Sequence, residues 1–218
     1  RKHPINSRIA KPQAVFKNHP TPDAKFEIPL PLRYHPPMSS STPHTPLPYR
    51  IACLCYLFDE EGNILLLHRR KEPNFELYSP IGGKLEQDLG ESPTATAIRE
   101  ISEEVGLTVT PEQLHLTGIV SETGFGDEMH WLMFLYELTV PADVLEGTFD
   151  EGRLEWHTRD NLMNLAIPDT DRHVIWPLFW RYRHQFFMAH INCQNQQTQW
   201  RIEQPPADAT DWSTDTAQ

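Results

Sequence analysis

Three glutamates, Glu100, Glu103 and Glu104, stand directly after Arg99 in a segment whose ends are marked for a helix. Ser92 is a good N-cap, Pro93 suits the first helical position and Gly106 supplies the stop, so the spacing predicts a helix over 93–105. On a helix, residues three and four apart share a face, which gathers the three carboxylates. Like charges so close repel, and Arg99 is the only neutralising neighbour in sequence. A hard divalent cation resolves the conflict, because Mg²⁺ takes oxygen ligands and retains part of its water shell. Ile98, Ile101 and Val105 form the apolar stripe that seats the helix on a core. A plain solvated acidic face would not account for the ordered series of glycines, cap, arginine and acids.

The surrounding text reads as mixed strands and helices. Residues 49–58 and 64–68 form two apolar strands joined through Asp59-Glu-Glu-Gly-Asn63, a turn by composition, and are expected to pair as a hairpin. Further strands are expected near 114–121, 130–138 and 153–158, and a second helix over about 171–187. Residues 1–48 hold 11 of the 20 prolines and lack apolar periodicity, which predicts a poorly ordered basic arm. The organisation expected is this arm, a catalytic domain over 49–192 and a polar tail over 193–218.

The segment Gly82-Gly83-Lys84 through Glu91, then Arg99-Glu100-Ile101-Ser102-Glu103-Glu104-Val105-Gly106-Leu107, resembles the signature of the Nudix (MutT-like) hydrolases, G-x5-E-x7-R-E-U-x-E-E-x-G-U with U aliphatic. From Glu91 onward every position matches. Between Gly83 and Glu91 stand seven residues instead of five, an insertion placed in the 86–90 loop, where added length costs little entropy. The resemblance implies an α/β fold, an α/β/α sandwich around a mixed sheet. It also implies Mg²⁺ (Mn²⁺ as a substitute) held by Glu100, Glu103, Glu104 and the Gly83 carbonyl. Arg99 would orient the carboxylates and Glu91 support Arg99. A further acid beyond the signature would serve as ligand or general base: Glu151, with Glu155 in reserve, although an ordinary turn acid is an equal reading of Glu151. The reaction implied is hydrolysis of a nucleoside diphosphate linkage.

Charge narrows the partners. Beyond residue 50 the chain holds 11 basic against 28 acidic side chains, a poor match for polymeric nucleic acid and a good one for cations that meet a small anionic nucleotide. Three cysteines without ligand or disulfide spacing, and no long apolar run, lead to the expectation of a reducing, cytoplasmic setting away from membranes.

The signature fixes the bond and not the attached group. Tyr78, Ser79 and Lys84 sit where MutT-like enzymes hold base-reading residues, and Arg69, Arg70 and Lys71 are candidates for phosphate. The stretch 167–178 is similar to one that carries base-binding aspartates in family members acting on oxidised purine triphosphates. Asp169 or Asp171 would then meet a purine edge, with Tyr78, Trp176 or Phe125 stacking on it; helix capping is the competing reading of both aspartates. Trp176, Phe179, Trp180 and Phe187 also fit a core stripe at helical spacing. The expected substrate is a nucleoside triphosphate, including oxidised forms, with ADP-ribose, a nucleotide sugar or a dinucleoside polyphosphate as alternatives. A silent nucleotide-binding domain is disfavoured by the complete acid set.

Overall fold

The computed structural model describes residues 48–126, 129–194 and 198–205. Apart from Pro48, the expected N-terminal arm lies outside the described residues. Two sheets carry the fold. The first is mixed, in the order β1 (Tyr49–Tyr56), β5 (Met129–Leu138), β4 (Leu114–Phe125), β8 (Phe187–Asn192) and β9 (Gln199–Gln204). Its β1–β5 and β4–β8 pairs are parallel, and β4–β5 and β8–β9 are antiparallel. The second comprises β3 (Tyr78–Ser79), β2 (Ile64–Arg69), β7 (Gly152–His157) and β6 (Gly147–Phe149), paired antiparallel throughout.

Strand alternation sorts the mixed sheet into two faces. Cys53, Cys55 and Tyr136 pack with Ala97 and Ile101 of helix α1 (Pro93–Val105). Tyr56, Val120, Met133 and Leu135 pack on the other side with Val174, Ile175, Trp176 and Phe179. Those four come from a π-helical turn, Asp171–Ile175, that runs into helix α3 (Trp176–Arg181); the short α2 (Arg159–Leu162) precedes it. One helix system on each face gives the expected α/β/α layering.

Three expectations change. The first two strands do not pair along their length: the turn forms, with Asn63 N–H donating to Asp59, but pairing stops after the Phe58–Ile64 bridge and the strands part into different sheets. The second helix ends at Arg181 rather than Phe187, because Tyr182 to Gln185 closes a turn in which His184 takes φ 65°. Phe187 then opens β8, fully buried. The segment after Cys193, expected as a polar tail, contributes β9, whose Trp200 and Ile202 pack against the core.

Helix α1 forms as its sequence dictates. Ser92 Oγ accepts from Ala95 N–H at 3.2 Å, and Gly106 closes the helix in the left-handed region at φ 72°. Such a cap is worth about 1 kcal/mol. Ile101 is fully buried, contributing on the order of 2 kcal/mol. Alongside the sheet, the glycine segment runs as a partner of edge strand β1: Cys53 N–H donates to Gly83 O at 2.9 Å, Cys55 N–H to Ile81 O at 2.7 Å and Leu85 N–H to Ile51 O at 3.1 Å. The edge is thereby covered and the glycines are brought against α1.

Candidate active site

Gly82 and Gly83 lie at the meeting of this segment with α1; backbone requires glycine at 82, whereas at 83 its absent side chain leaves the space to Glu100. A Cβ on Gly82 would sit 2.1 Å from the Cys53 carbonyl oxygen, and its φ of 142° is itself hostile to side chains. At Gly83 the Cβ would stand 2.4 Å from Glu100 Oε1, in the space the carboxylate fills. The Gly82 N–H donates to Glu104 Oε2 at 3.0 Å.

The three helix acids occupy unlike settings. Glu104 is 9% exposed, and its Oε1 has no hydrogen-bond partner among the described residues. Burial chiefly, then Glu100 and Glu151 nearby, push its carboxyl up to about 8. Glu100 is also raised, by burial first, although Arg99 opposes this. Glu103 points outward, its side chain 60% exposed, and meets Arg99 at 3.1 Å. The expected shared face is thus graded from buried to exposed.

Arg99 ties the group together. Its guanidinium donates to Glu91 Oε1 at 2.9 Å and Oε2 at 3.0 Å, to Glu100 at 2.7 Å, to Glu103 at 3.1 Å and to the Lys84 carbonyl at 3.1 Å. Bonded so, the Glu91 carboxyl falls to about 2. The two extra residues are extruded as a single turn, Gln87–Leu89, with Leu89 77% exposed. Glu91 Oε2 closes the base of this loop by accepting from Glu86 N–H at 2.9 Å.

A cavity of about 420 Å³ opens beside this cluster, within the range of small-molecule sites. Gly82, Gly83, Lys84, Arg99, Glu100 and Glu151 line one part, with Arg69 at the end of β2 and Glu72, Pro73 and Asn74 from the loop after it. Ser79, Glu122, Phe125, Trp131, Met133, Thr170 and Asp171 line the rest. The structure therefore brings Arg69, Ser79, Lys84, Glu91, Arg99, Glu100, Glu103, Glu104, Glu151, Gly83 and Asp171 to one region.

Other candidates fall elsewhere. Tyr78 lies one residue from Ser79 on a strand, so it faces the opposite way; its hydroxyl donates to Glu155 at 3.1 Å and its ring packs between His68 and His157. Glu155 is engaged there and by Arg153, away from the cavity lining. Asp169 is exposed, and Arg70 and Lys71 are exposed loop residues outside the lining. Trp176, at 1% exposure, belongs to the core stripe and presents no free ring face. Glu122, Trp131 and Met133 went unrecognised. Their signal lay in strand alternation, which places Glu122 in phase with inward Val120, but using it requires knowing which neighbours pair.

A model of the NUDIX domain matches residues 48–176. A Bacillus subtilis (strain 168) protein described as "Uncharacterized Nudix hydrolase YvcI" is 32% identical over 119 residues, covering 53% of this chain and 70% of that protein. An "ADP-ribose pyrophosphatase" of the same organism is 33% identical over 93 residues, 42% of this chain and 49% of that enzyme. Among solved structures, a MutT protein from Bacillus halodurans superposes with a TM-score of 0.56 at 25% identity, covering 72% of this chain and 99% of that one.

Proposed function

This chain belongs to the Nudix family, and on that premise we propose that it hydrolyses nucleoside triphosphates to monophosphate and pyrophosphate with a divalent cation, Mg²⁺ or Mn²⁺. The hydrolase class follows from the family; the substrate and the cation are the reading offered here. One observation carries it. Glu104 is a buried carboxylate with an orphan oxygen; its other oxygen accepts from the Gly82 N–H, and the charges of Glu100 and Glu151 act on it. Buried acids so placed are costly unless positive charge joins them.

The donor set fits a hard cation: Glu100, Glu103, Glu104 and the Gly83 carbonyl are all oxygen ligands. As the side chains stand, no three acidic, histidine or cysteine side chains among the described residues already converge on one point, and the Arg99 guanidinium neutralises Glu100 and Glu103. When bound, a divalent cation offsets phosphate charge and acidifies a water so that it attacks phosphorus near neutral pH.

The chain's own groups supply the remainder. Arg99, fixed by both oxygens of Glu91, orients Glu100 and Glu103. Arg69 and Lys84 line the cavity as counter-charges for phosphate oxygens. Glu151 reaches the cluster from the turn between β6 and β7 and accepts the proton of the attacking water at its carboxylate. Water adds across the P–O–P bridge between the α and β phosphoryl groups, so that the bridging oxygen leaves on one product and the water oxygen is kept by the other.

A panel of nucleoside triphosphates, ADP-ribose and dinucleoside polyphosphates, each with Mg²⁺, tests the reading by release of pyrophosphate or monophosphate. Triphosphates are expected to give both products in equal amounts. Turnover of ADP-ribose alone would replace the substrate, and turnover of none would overturn the reading.

A further inference from the structure

Strand β7 meets β2 at a glycine. Gly152 opens β7 directly after Glu151, is buried, and lies opposite Arg69 at the end of β2. On its other side it pairs with Phe149, which leaves Asp150 and Glu151 as the two-residue turn between β6 and β7. Glycine is a costly choice within a sheet, since it loses much freedom on folding and gives its neighbours no side chain to pack. The backbone does not call for it either, because the φ of Gly152 is not positive. Space does. A Cβ at 152 would stand 2.1 Å from the His68 carbonyl oxygen and 2.7 Å from Leu67 Cδ1.

This close approach falls where two residues of the site meet. The Arg70 N–H, one position beyond β2, donates to the Glu151 carbonyl at 2.9 Å and ties the turn to that strand. Arg69 and Glu151 both line the cavity, one from each strand. Both also act by charge on Glu104, and Glu151 acts on Glu100 as well, so the two side chains reach the helix acids.

Resting on the hydrolase reading above, we propose that Gly152 is a positioning residue for the reaction. By leaving out a side chain where β7 crosses the end of β2, it lets the strands close and holds the Glu151 carboxylate beside the helix acids. A Cβ there must move from 2.1 Å to at least the 3.4 Å at which ordinary contact begins, and the obstacle is backbone that does not swing aside. Glu151 is next in the chain and moves with β7, whereas Arg69 stays on β2. The substitution therefore parts the proton acceptor from the phosphate counter-charge. A general base works only within hydrogen-bond reach of its proton, and a misplacement of about 1 Å costs on the order of 100-fold in rate.

Steady-state kinetics of Gly152→Ala, alone and combined with Glu151→Gln, test the proposal. Alone, G152A is expected to lower kcat about 30-fold or more with KM within about threefold of wild type. On the E151Q background it is expected to add less than about threefold, because residues acting as one unit are not additive. A merely structural role would repeat the full G152A loss there, and that result would overturn the proposal. So would a wild-type kcat in G152A or in E151Q. Amide hydrogen exchange needs neither substrate nor cation: Arg70 N–H is expected to exchange about tenfold or more faster in G152A, and an unchanged rate would also overturn the proposal. Should G152A not fold, R70P, which removes the N–H that ties the turn to β2, takes its place in the kinetic cycle with the same expectations. No turnover by the wild-type chain would defeat the hydrolase reading and this one together; turnover with an additive cycle would defeat this one alone.

Discussion

Gly83 and Glu100 occupy one another's space: a Cβ on the glycine would stand 2.4 Å from Glu100 Oε1. The glycine therefore makes room for a carboxylate on another element and is not demanded by its own backbone. Gly82, beside it, is required by backbone, since its Cβ would meet the Cys53 carbonyl oxygen at 2.1 Å at a φ of 142°. The two Gly→Ala variants should separate. Gly83→Ala displaces the Glu100 side chain, lowering kcat about 100-fold or more with a Tm within roughly 5 °C of wild type. Gly82→Ala strains the chain against β1 and should cost several kcal/mol, on the order of 3 or more, visible as a large fall in Tm. Equal thermal losses in both would refute the distinction.

Glu103 is the exposed member of the acid cluster, at 60%, so its removal separates catalysis from folding. Glu103→Gln keeps shape and the possibility of a hydrogen bond while losing charge. An exposed ion pair with Arg99 contributes about 0–1 kcal/mol, so thermal stability should hardly move. The rate should fall by roughly two to four orders of magnitude if this carboxylate holds the cation. Wild-type turnover by Glu103→Gln would remove it from the ligand set.

Asp171 gives a pH dependence of defined sign. Its carboxyl is raised on folding from 3.8 to about 7, so between those values the native state holds a proton that the unfolded chain has released. Stability therefore declines as pH rises through that window and is flat above it. Asp171→Asn fixes the group neutral and places an amide N–H₂ beside Glu122. Melting at pH 8.5 should rise by roughly 3–8 °C over wild type, with a difference under about 2 °C at pH 4.5. A variant less stable than wild type at pH 8.5 would show that the carboxylate is favourably held.

What could be read from sequence was what is coded locally. Ser92, Pro93 and Gly106 fix the ends of α1 without help from the rest of the chain, and Arg99 with its acids follows from helical spacing. Phe187 reads as part of the preceding helix because it continues a spacing begun by Trp176, Phe179 and Trp180, and only strand pairing with Gly118 places it elsewhere. Strand β9 was missed because an edge strand needs few apolar residues: Trp200 and Ile202 alternate with polar side chains and are only partly covered. The same reason hid Glu122, since a single acid within an alternating run says nothing until the neighbouring strand supplies Trp131.

The insertion between Gly83 and Glu91 should be dispensable. Its residues turn out into solvent, with Leu89 77% exposed, while the contacts that matter, Glu91 to Arg99 and to Glu86 N–H, are made at its base. Shortening a loop changes its closure entropy by only a few tenths of a kcal/mol, on the order of 0.5. Deleting Asp88 and Leu89 should leave kcat/KM within about threefold and Tm within about 3 °C. A loss beyond tenfold would assign the loop a part in substrate binding.

Glu151 and Glu155 stand four residues apart and should behave differently. Glu151 lies on the turn between β6 and β7, lines the cavity and raises both Glu100 and Glu104, so its carboxylate faces the reacting region. Glu155 lies within β7, where it accepts from the Tyr78 hydroxyl and pairs with Arg153, holding β3 to the sheet. Glu151→Gln removes a proton acceptor and should lower kcat about 100-fold or more with KM little changed, since general-base catalysis contributes on the order of 10²–10⁴. Glu155→Gln retains an acceptor for Tyr78 and loses an ion pair, which should cost about 1 kcal/mol in stability and less than fivefold in rate. Steady-state kinetics and thermal melting on the two variants decide the matter: a large rate loss in Glu155→Gln with Glu151→Gln near wild type would exchange their roles.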